Sequence, residues 1–210
     1  MIDYAVKTVT PSEAFLRLKM GNFRFVNNMP EHKDLMSSVD KTKDGQSPYA
    51  AIFSCMDSRT SAELIFDQGV GDIFSIRIAG NVITDDVLGS LEYATAVAGA
   101  SLILVLGHTN CGAIKGACDH VKLGHLSSLL DRISPALEQS SKLFADTTSK
   151  NADYVAAVTK ANIEHSMAEI LERSSIIRDL VAQKKVGIEP AIYDVATGKV
   201  IFSGFDKGAE

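Results

Sequence analysis

The chain has 210 residues, enough for one well-cored α/β domain and too few for two ordinary ones, and its 46% hydrophobic and 22% charged content is that of a soluble globular protein. A net charge of −5 without a dense Lys/Arg stripe excludes a nucleic-acid footprint, and the longest apolar stretch, Ala94–Leu106, is interrupted by Thr95, Gly99 and Ser101, so no membrane span is expected. The opening MIDYAVKTVT has neither a basic n-region nor an apolar h-region, and three cysteines are an odd, small number unlike a disulfide framework, which together point to the cytoplasm.

In chain order, Thr10-Pro11-Ser12-Glu13 is a capping box with proline at the first helical position, so a helix is predicted from there towards Gly21, with GNFRFVNN as a second short helical or irregular piece. Glu31–Gln46, which includes His32, reads as a polar surface connection. Residues 1–45 thus form an N-terminal helical arm without a sheet partner, which packs across the domain or onto a neighbouring subunit, and 46–210 form the α/β core of a single domain.

Tyr49–Ser54 is predicted as a strand, Ala62–Gln68 as a short helix and Asp72–Ile78 as a second strand. Ala79-Gly80-Asn81 is a turn, and Thr84 caps a helix that carries Asp85 and Asp86 in its first turn and runs to about Val97. Strand three is Leu102–Leu106. Helical segments follow Cys111 and Gly124, with a break near Ser134-Pro135, and Gln139–Asn151 reads as a loop. Tyr154–Gln183 is predicted as one long amphipathic helix, Val186–Val195 as a fourth strand, and Val200–Phe205 as an antiparallel edge strand reached through Ala196–Lys199. The fold class is therefore α/β: a mostly parallel sheet, four parallel strands plus an antiparallel edge strand, flanked by helices.

Two stretches of one design carry the chemistry. In AAIFSCMDSR an apolar run from Ala50 to Phe53 leads to Cys55, Asp57 and Arg59. In SLILVLGHTNCGA the third strand is expected to stop at Gly107 and to deliver His108 and Cys111 into a turn. Sites in open α/β sheets form beyond the carboxyl ends of strands, where strand order reverses. If these two strands are neighbours, two thiols and an imidazole converge there. That is a ligand set for a soft or borderline metal, zinc above all, and three protein ligands leave a position open for water. His108-x-x-Cys111 by itself also fits one buried cysteine and one surface histidine; the second half, placed the same way, argues against that. Asp57 is either a fourth ligand or an acceptor for a hydrogen bond from a metal-held water. Arg59 can hold Asp57 bidentately, the bland alternative being a surface ion pair of little worth. Cys118, two helical turns after Cys111, reads as a buried small apolar residue, and His120, His125 and His165 as surface residues.

CMDSR followed by GHTNCGA resembles the β-class carbonic anhydrases. GNFRF, Gln46-Ser47-Pro48, GDIFSIRIAGN, SLEYA, CGAIKGA and YDVATGKV are similar to stretches of that family in the same order, so the resemblance covers nearly the whole chain. It implies reversible hydration of carbon dioxide to bicarbonate and a proton by a zinc-activated water. Zinc (Zn2+) would be held by Cys55, His108 and Cys111, with Asp57–Arg59 as the catalytic dyad. Gln46 matches a residue that hydrogen-bonds substrate, Phe74 and Tyr93 match residues lining the substrate pocket, which in the family lies at a dimer interface, and Gly112 sits in a ligand turn. A homodimer or dimer of dimers is the expected assembly. With no tryptophan, the Trp-containing non-catalytic bicarbonate site of one subgroup is not present as such.

Alternatives at the same residues are hydrolysis of carbon disulfide or carbonyl sulfide, and a non-catalytic zinc protein whose site Asp57 or Cys118 closes. A zinc alcohol dehydrogenase is excluded by the lack of G-x-G-x-x-G and the short chain, and a zinc deaminase by the lack of H-x-E with P-C-x-x-C.

Overall fold

The apolar runs pair as the strand pattern requires. In the computed structural model, which describes residues 9–31 and 34–202, β1 (Ala50–Ser54), β2 (Ile73–Arg77), β3 (Leu102–His108), β4 (Gly187–Tyr193) and β5 (Val200–Phe202) form one sheet in the order β2-β1-β3-β4-β5. β1 pairs parallel with β2 and β3, β3 parallel with β4, and β5 antiparallel with β4. The chain moves outward from β1 to β2 and then returns to the other side of β1 as β3, so strand order reverses between β1 and β3. Both of these strands are buried at every position, which is why they read as continuous apolar runs rather than alternating ones.

The helices are α1 (Pro11–Val26), α2 (Leu35–Thr42), α3 (Ala62–Ile65), α4 (Asp85–Glu92), α5 (Gly112–Cys118), α6 (Gly124–Leu130), α7 (Ser134–Ser141), α8 (Ala152–Arg173) and α9 (Ser175–Ala182). Alternate strand residues face two cores. Ile52, Leu102, Leu104 and Leu106 pack with Phe15 and Leu18 of α1 and Ala62 and Ile65 of α3. Ala51, Phe53, Ile103 and Val105 pack with Val87 and Leu91 of α4, Ile163 and Ile170 of α8 and Ile177 of α9. A third apolar cluster, beyond the carboxyl ends of β1 and β3, joins Cys55, Cys111, Ile114, Cys118, Leu130, Ile133, Tyr154 and Val158.

Several boundaries differ from those expected, each for a packing reason. α1 does not stop near Gly21: it runs to Val26, and Gly21 lets it pass against the Phe66 carbonyl, where an added Cβ would lie 1.8 Å from the oxygen. Asn22 then fastens α1, donating from Nδ2 to Ile65 O (3.1 Å) and Gly198 O (2.9 Å) and accepting from Val200 N at Oδ1 (2.8 Å). The arm therefore packs across this chain's own sheet. The connection after Glu31 contains a helix, α2, capped by the Asp34 side chain on Ser37 N; His32 lies outside the described residues. The helix capped by Thr84 is α-helical only to Glu92 and continues as a π-helical turn over Tyr93–Val97. Pro135 does not end a helix but sits in the first turn of α7, which carries regular structure to Ser141. The long helix predicted over Tyr154–Gln183 is two, because Ser174 leaves the helical conformation (φ −106, ψ 103) and caps α9 by accepting from Ile177 N. β3 continues through Gly107, which lies under Ile163 of α8, so His108 ends a strand rather than starting a turn. β5 is seen to Phe202; residues 203–205 of the predicted strand lie outside the described residues.

Glycine to alanine inside a helix ordinarily stabilises by about 1 kcal/mol. At Gly21 the sign should reverse: Gly21→Ala is expected to lose about 1–3 kcal/mol through overpacking, read from the urea midpoint at unchanged m-value. A midpoint at or above that of the parent protein would contradict the packing of α1 on Phe66.

Candidate metal centre

β1 and β3 are parallel with Ser54 beside Leu106, so Cys55, just past β1, and His108, the last residue of β3, emerge at one end of the sheet, at the reversal of strand order. Asn110, at φ +55, turns the chain back, and Cys111 becomes the N-cap of α5. The two Sγ atoms are 3.9 Å apart, and they and a His108 ring nitrogen all lie within 4.8 Å of one another. All three residues are buried, Cys55 at 4% exposure and His108 and Cys111 at 1%.

The hydrogen bonds of these donors leave a place for a cation. His108 Nδ1 lies 2.9 Å from Thr109 O, and a carbonyl only accepts, so Nδ1 carries a proton and Nε2 is the nitrogen left to present a lone pair in the neutral ring. Nε2 is buried without a hydrogen-bond partner, a costly arrangement unless something else binds there. The hydrogen bond between the sulfurs favours the thiolate on Cys55 and holds Cys111 protonated, pulling the first thiol down from its ordinary range and pushing the second up. The set can hold a metal ion by its donor types and by the orphaned imidazole nitrogen.

The loop after β1 is tied down on all sides. Thr60 Oγ1 lies 2.9 Å from Cys55 O and 2.8 Å from Asp57 O, Arg77 donates to the same two carbonyls, and the Gly80 amide donates to Cys55 Sγ at 3.4 Å. Asp57 receives three donors from Arg59: the backbone N–H and Nε at Oδ1, both 2.9 Å, and Nη2 at Oδ2, 2.7 Å. These hydrogen bonds hold its carboxyl well below the usual carboxylate range. Arg59 Nη2 also reaches Asn110 O at 3.3 Å, so the pair spans both loops of the cluster. On the far side, Thr109 Oγ1 donates to Asp194 Oδ1 (3.1 Å) and accepts from Val195 N (3.0 Å), which fixes the residue whose carbonyl orients His108.

A carbonic anhydrase family model matches residues 50–200. Carbonic anhydrase 2 of Mycobacterium tuberculosis is 36% identical over 199 residues, covering 91% of this chain and 92% of that protein. The chain belongs to the β-class carbonic anhydrase family of enzymes. The fold agrees. A β-carbonic anhydrase of Aspergillus fumigatus superposes with a TM-score of 0.72 at 22% identity, over 95% of this chain and 92% of that one. One of two tetrameric β-carbonic anhydrases from Sordaria macrospora does so with 0.71 at 23% identity, over 79% and 85%.

Among the described residues no other His, Cys, Asp or Glu joins the cluster. Asp57 faces Arg59, and Cys118, at the end of α5, is buried in the apolar cluster, where burial pushes its thiol up to about 11. His120 and His125 are exposed on the surface, and His165, half-buried, lies 3.7 Å from Glu169 on α8. Asp85 and Asp86 sit in the first turn of α4, and Asp85 pairs with Arg173. Gly112 opens α5 directly after Cys111. Gln46, Phe74 and Tyr93 are elsewhere. Gln46 is exposed and enters β1 from its amino end, while Cys55 leaves by the carboxyl end, a strand of about 17 Å between them. Phe74, beside Ala51 in the middle of β2, stacks edge-on with the half-exposed Tyr93 at 6.2 Å, on the face that carries Asp85, Asp86 and Gly89. Sequence reasoning missed Thr60, Gly80, Arg77, Thr109 and Asp194 as supports of the site. Only Gly80, inside a recognised turn, carried a local signal.

Because Arg59 is what depresses Asp57, the carboxylate's stabilising pairing is present above the ordinary carboxylate range and is lost as pH falls through its lowered value. Arg59→Leu should move the Asp57 titration upward towards that of an ordinary carboxyl, followed by carboxyl-carbon NMR. An unmoved titration would show that another group holds Asp57 ionised.

Proposed function

We propose that the chain catalyses the reversible hydration of carbon dioxide to bicarbonate and a proton, with one zinc ion per chain held by Cys55, His108 and Cys111. The observation that carries this reading is the buried, partnerless His108 Nε2 facing two sulfurs 3.9 Å apart, with an ionised carboxylate beside them. Zinc in such a site supplies Lewis acidity, which lowers the pKa of water and makes a nucleophile available near neutral pH. The rest of the chemistry belongs to this chain's side chains. Asp57, kept ionised by Arg59, is an acceptor-only group and can orient the nucleophile by accepting its proton in a hydrogen bond. Arg59 keeps the carboxylate aimed and neutralises its charge. Thr109 takes the hydrogen bond of His108 Nδ1 and so turns Nε2, the other ring nitrogen, towards the metal. A closed, non-catalytic zinc site is the weaker reading, since Asp57 is committed to Arg59 and Cys118, though in the same apolar cluster, is not among the three converging donors.

The test is stopped-flow carbon dioxide hydration on metal-replete and chelated protein. Chelation should abolish turnover and zinc should restore it. Cys111→Ser should lose zinc and activity together, and Asp57→Asn should keep zinc while cutting turnover about 10²–10⁴-fold. Full zinc occupancy with normal activity in Cys111→Ser, or an unchanged rate in Asp57→Asn, would sink the assignment.

The same reading extends to assembly as a homodimer or dimer of dimers, with Gln46, Phe74 and Tyr93 serving the substrate pocket at a subunit interface. Three observations support it: these residues lie away from this chain's own cluster, Leu16, Met20 and Phe23 leave the outer face of α1 apolar and exposed, and the Sordaria macrospora relatives are tetrameric. Sedimentation at micromolar concentration should give a dimer or larger; a fully active monomer would contradict it.

A further inference from the structure

Of the three Thr, Asn and Ser residues that helix α8 buries, Thr159 bonds back to its own helix and two do not. Asn162 and Ser166 are each 2% exposed and, four residues apart, lie one turn from each other on one face. Both donate out of the helix into the 3-10 turn Ala79–Asn81: Asn162 Nδ2 to Gly80 O at 2.9 Å, and Ser166 Oγ to Asn81 O at 3.1 Å. That turn needs holding. Gly80 stands at φ +66 and Asn81 at φ +39, in left-handed conformations that non-glycine residues seldom adopt. A Cβ on Gly80 would come within 3.1 Å of Ile133 Cδ1 and 3.2 Å of Ala113 Cβ, so the surroundings leave the turn one seat.

Gly80 is thereby tethered at both ends. Its carbonyl is fixed to α8, and its amide donates to Cys55 Sγ at 3.4 Å. A hydrogen bond to a thiolate draws electron density away from the sulfur, leaving less for a metal bound there, and partners one bond removed from the ligands are known to tune metal sites in this way. An apolar side chain of the same size at position 162 would suit the surrounding cluster of Val155, Val158 and Ala161; a buried amide is costly there unless its hydrogen bond does something.

We propose that Asn162 is a positioning residue for the metal centre: by holding the Gly80 carbonyl it keeps the Gly80 amide on Cys55 Sγ, and so sets how much electron density that thiolate gives to the metal. The proposal rests on the reading that Cys55 is a metal ligand. Cobalt(II) loaded into the protein in place of zinc reports both, because a cobalt-bound thiolate has a charge-transfer band whose energy follows the hydrogen bonding of the sulfur. In Asn162→Leu, which removes the donor at similar size, and in Asn162→Ser, which stays polar but falls short of Gly80, the band should move to longer wavelength, and because the turn no longer holds the Cys55 sulfur in place, cobalt affinity should fall about tenfold although the freed thiolate is the stronger donor. Ile170→Val, on the same helix but in the core that does not include Cys55, should cost stability without moving the band. A wild-type protein that takes up cobalt without a thiolate band would overturn the ligand reading and this proposal with it. A wild-type band that stays in place in either folded Asn162 variant, or that moves equally in Ile170→Val, would overturn the proposal alone and reduce Asn162 to packing.

Discussion

Two thiols and an imidazole buried within 4.8 Å of one another make an expensive arrangement. Two thiolates repel at 3.9 Å, His108 Nε2 is buried without a hydrogen-bond partner, and an imidazolium would have to give up the lone pair that a metal needs. The rest of the structure is organised to keep the three groups in that position. β1 and β3 must be adjacent and parallel for Cys55 and His108 to leave the sheet side by side, and β2 must lie on the far side of β1 so that the gap at their ends stays open. β3 must be covered on both faces, which requires α1 on one side and α8 on the other.

The parts of this plan visible in the sequence were those that depend on local pattern. Apolar runs of five to seven residues marked β1 and β3, and the ligand residues fell at the first polar positions after or at their ends. The Thr10 and Thr84 caps were readable because their side chains bond within three residues. What could not be read were the contacts made across long separations. Gly21 and Gly107 looked like chain breaks, since a glycine needed for close approach is spelled the same as one needed for a turn. Asn22 and Asn162 looked like ordinary polar residues on helices, yet each closes hydrogen bonds with segments far off in the chain, 43 to 178 residues away for Asn22 and 82 for Asn162. The long helix was split by Ser174, whose capping role competes with helix continuation and is not decided by hydrophobic spacing.

Gln46, Phe74 and Tyr93 show a different limit. Spacing in the sequence does not say at which end of a sheet a residue lies. A strand of five residues sets its two ends about 17 Å apart, so the segment with Gln46 enters β1 at the end of the sheet opposite to the one where Cys55 leaves it. Recognising that needs the strand direction, which the sequence implies, together with the site's location at one end only, which the arrangement of β1 and β3 supplies.

Charge balance accounts for why so polar a site can be buried at all. On the proposed reading two thiolates offset a divalent cation and Asp57 is offset by Arg59, so these formal charges have partners close by. Arg59 is the one member with substantial access to water, 49% of its side chain, and could lose its partner at the lowest cost. Asp57, with 18% of its side chain exposed, could not. The weak point of the constellation is thus the arginine's grip rather than the carboxylate's charge, and that grip is reinforced from the backbone: the Arg59 N–H binds Oδ1 whatever the guanidinium does. The aim of Asp57 is therefore set partly by the loop itself, and the loop is set by Thr60 and Arg77 on the carbonyls of Cys55 and Asp57. The same loop after β1 that presents the Cys55 sulfur also presents the carboxylate, so the metal ligand and its acidic neighbour cannot move independently.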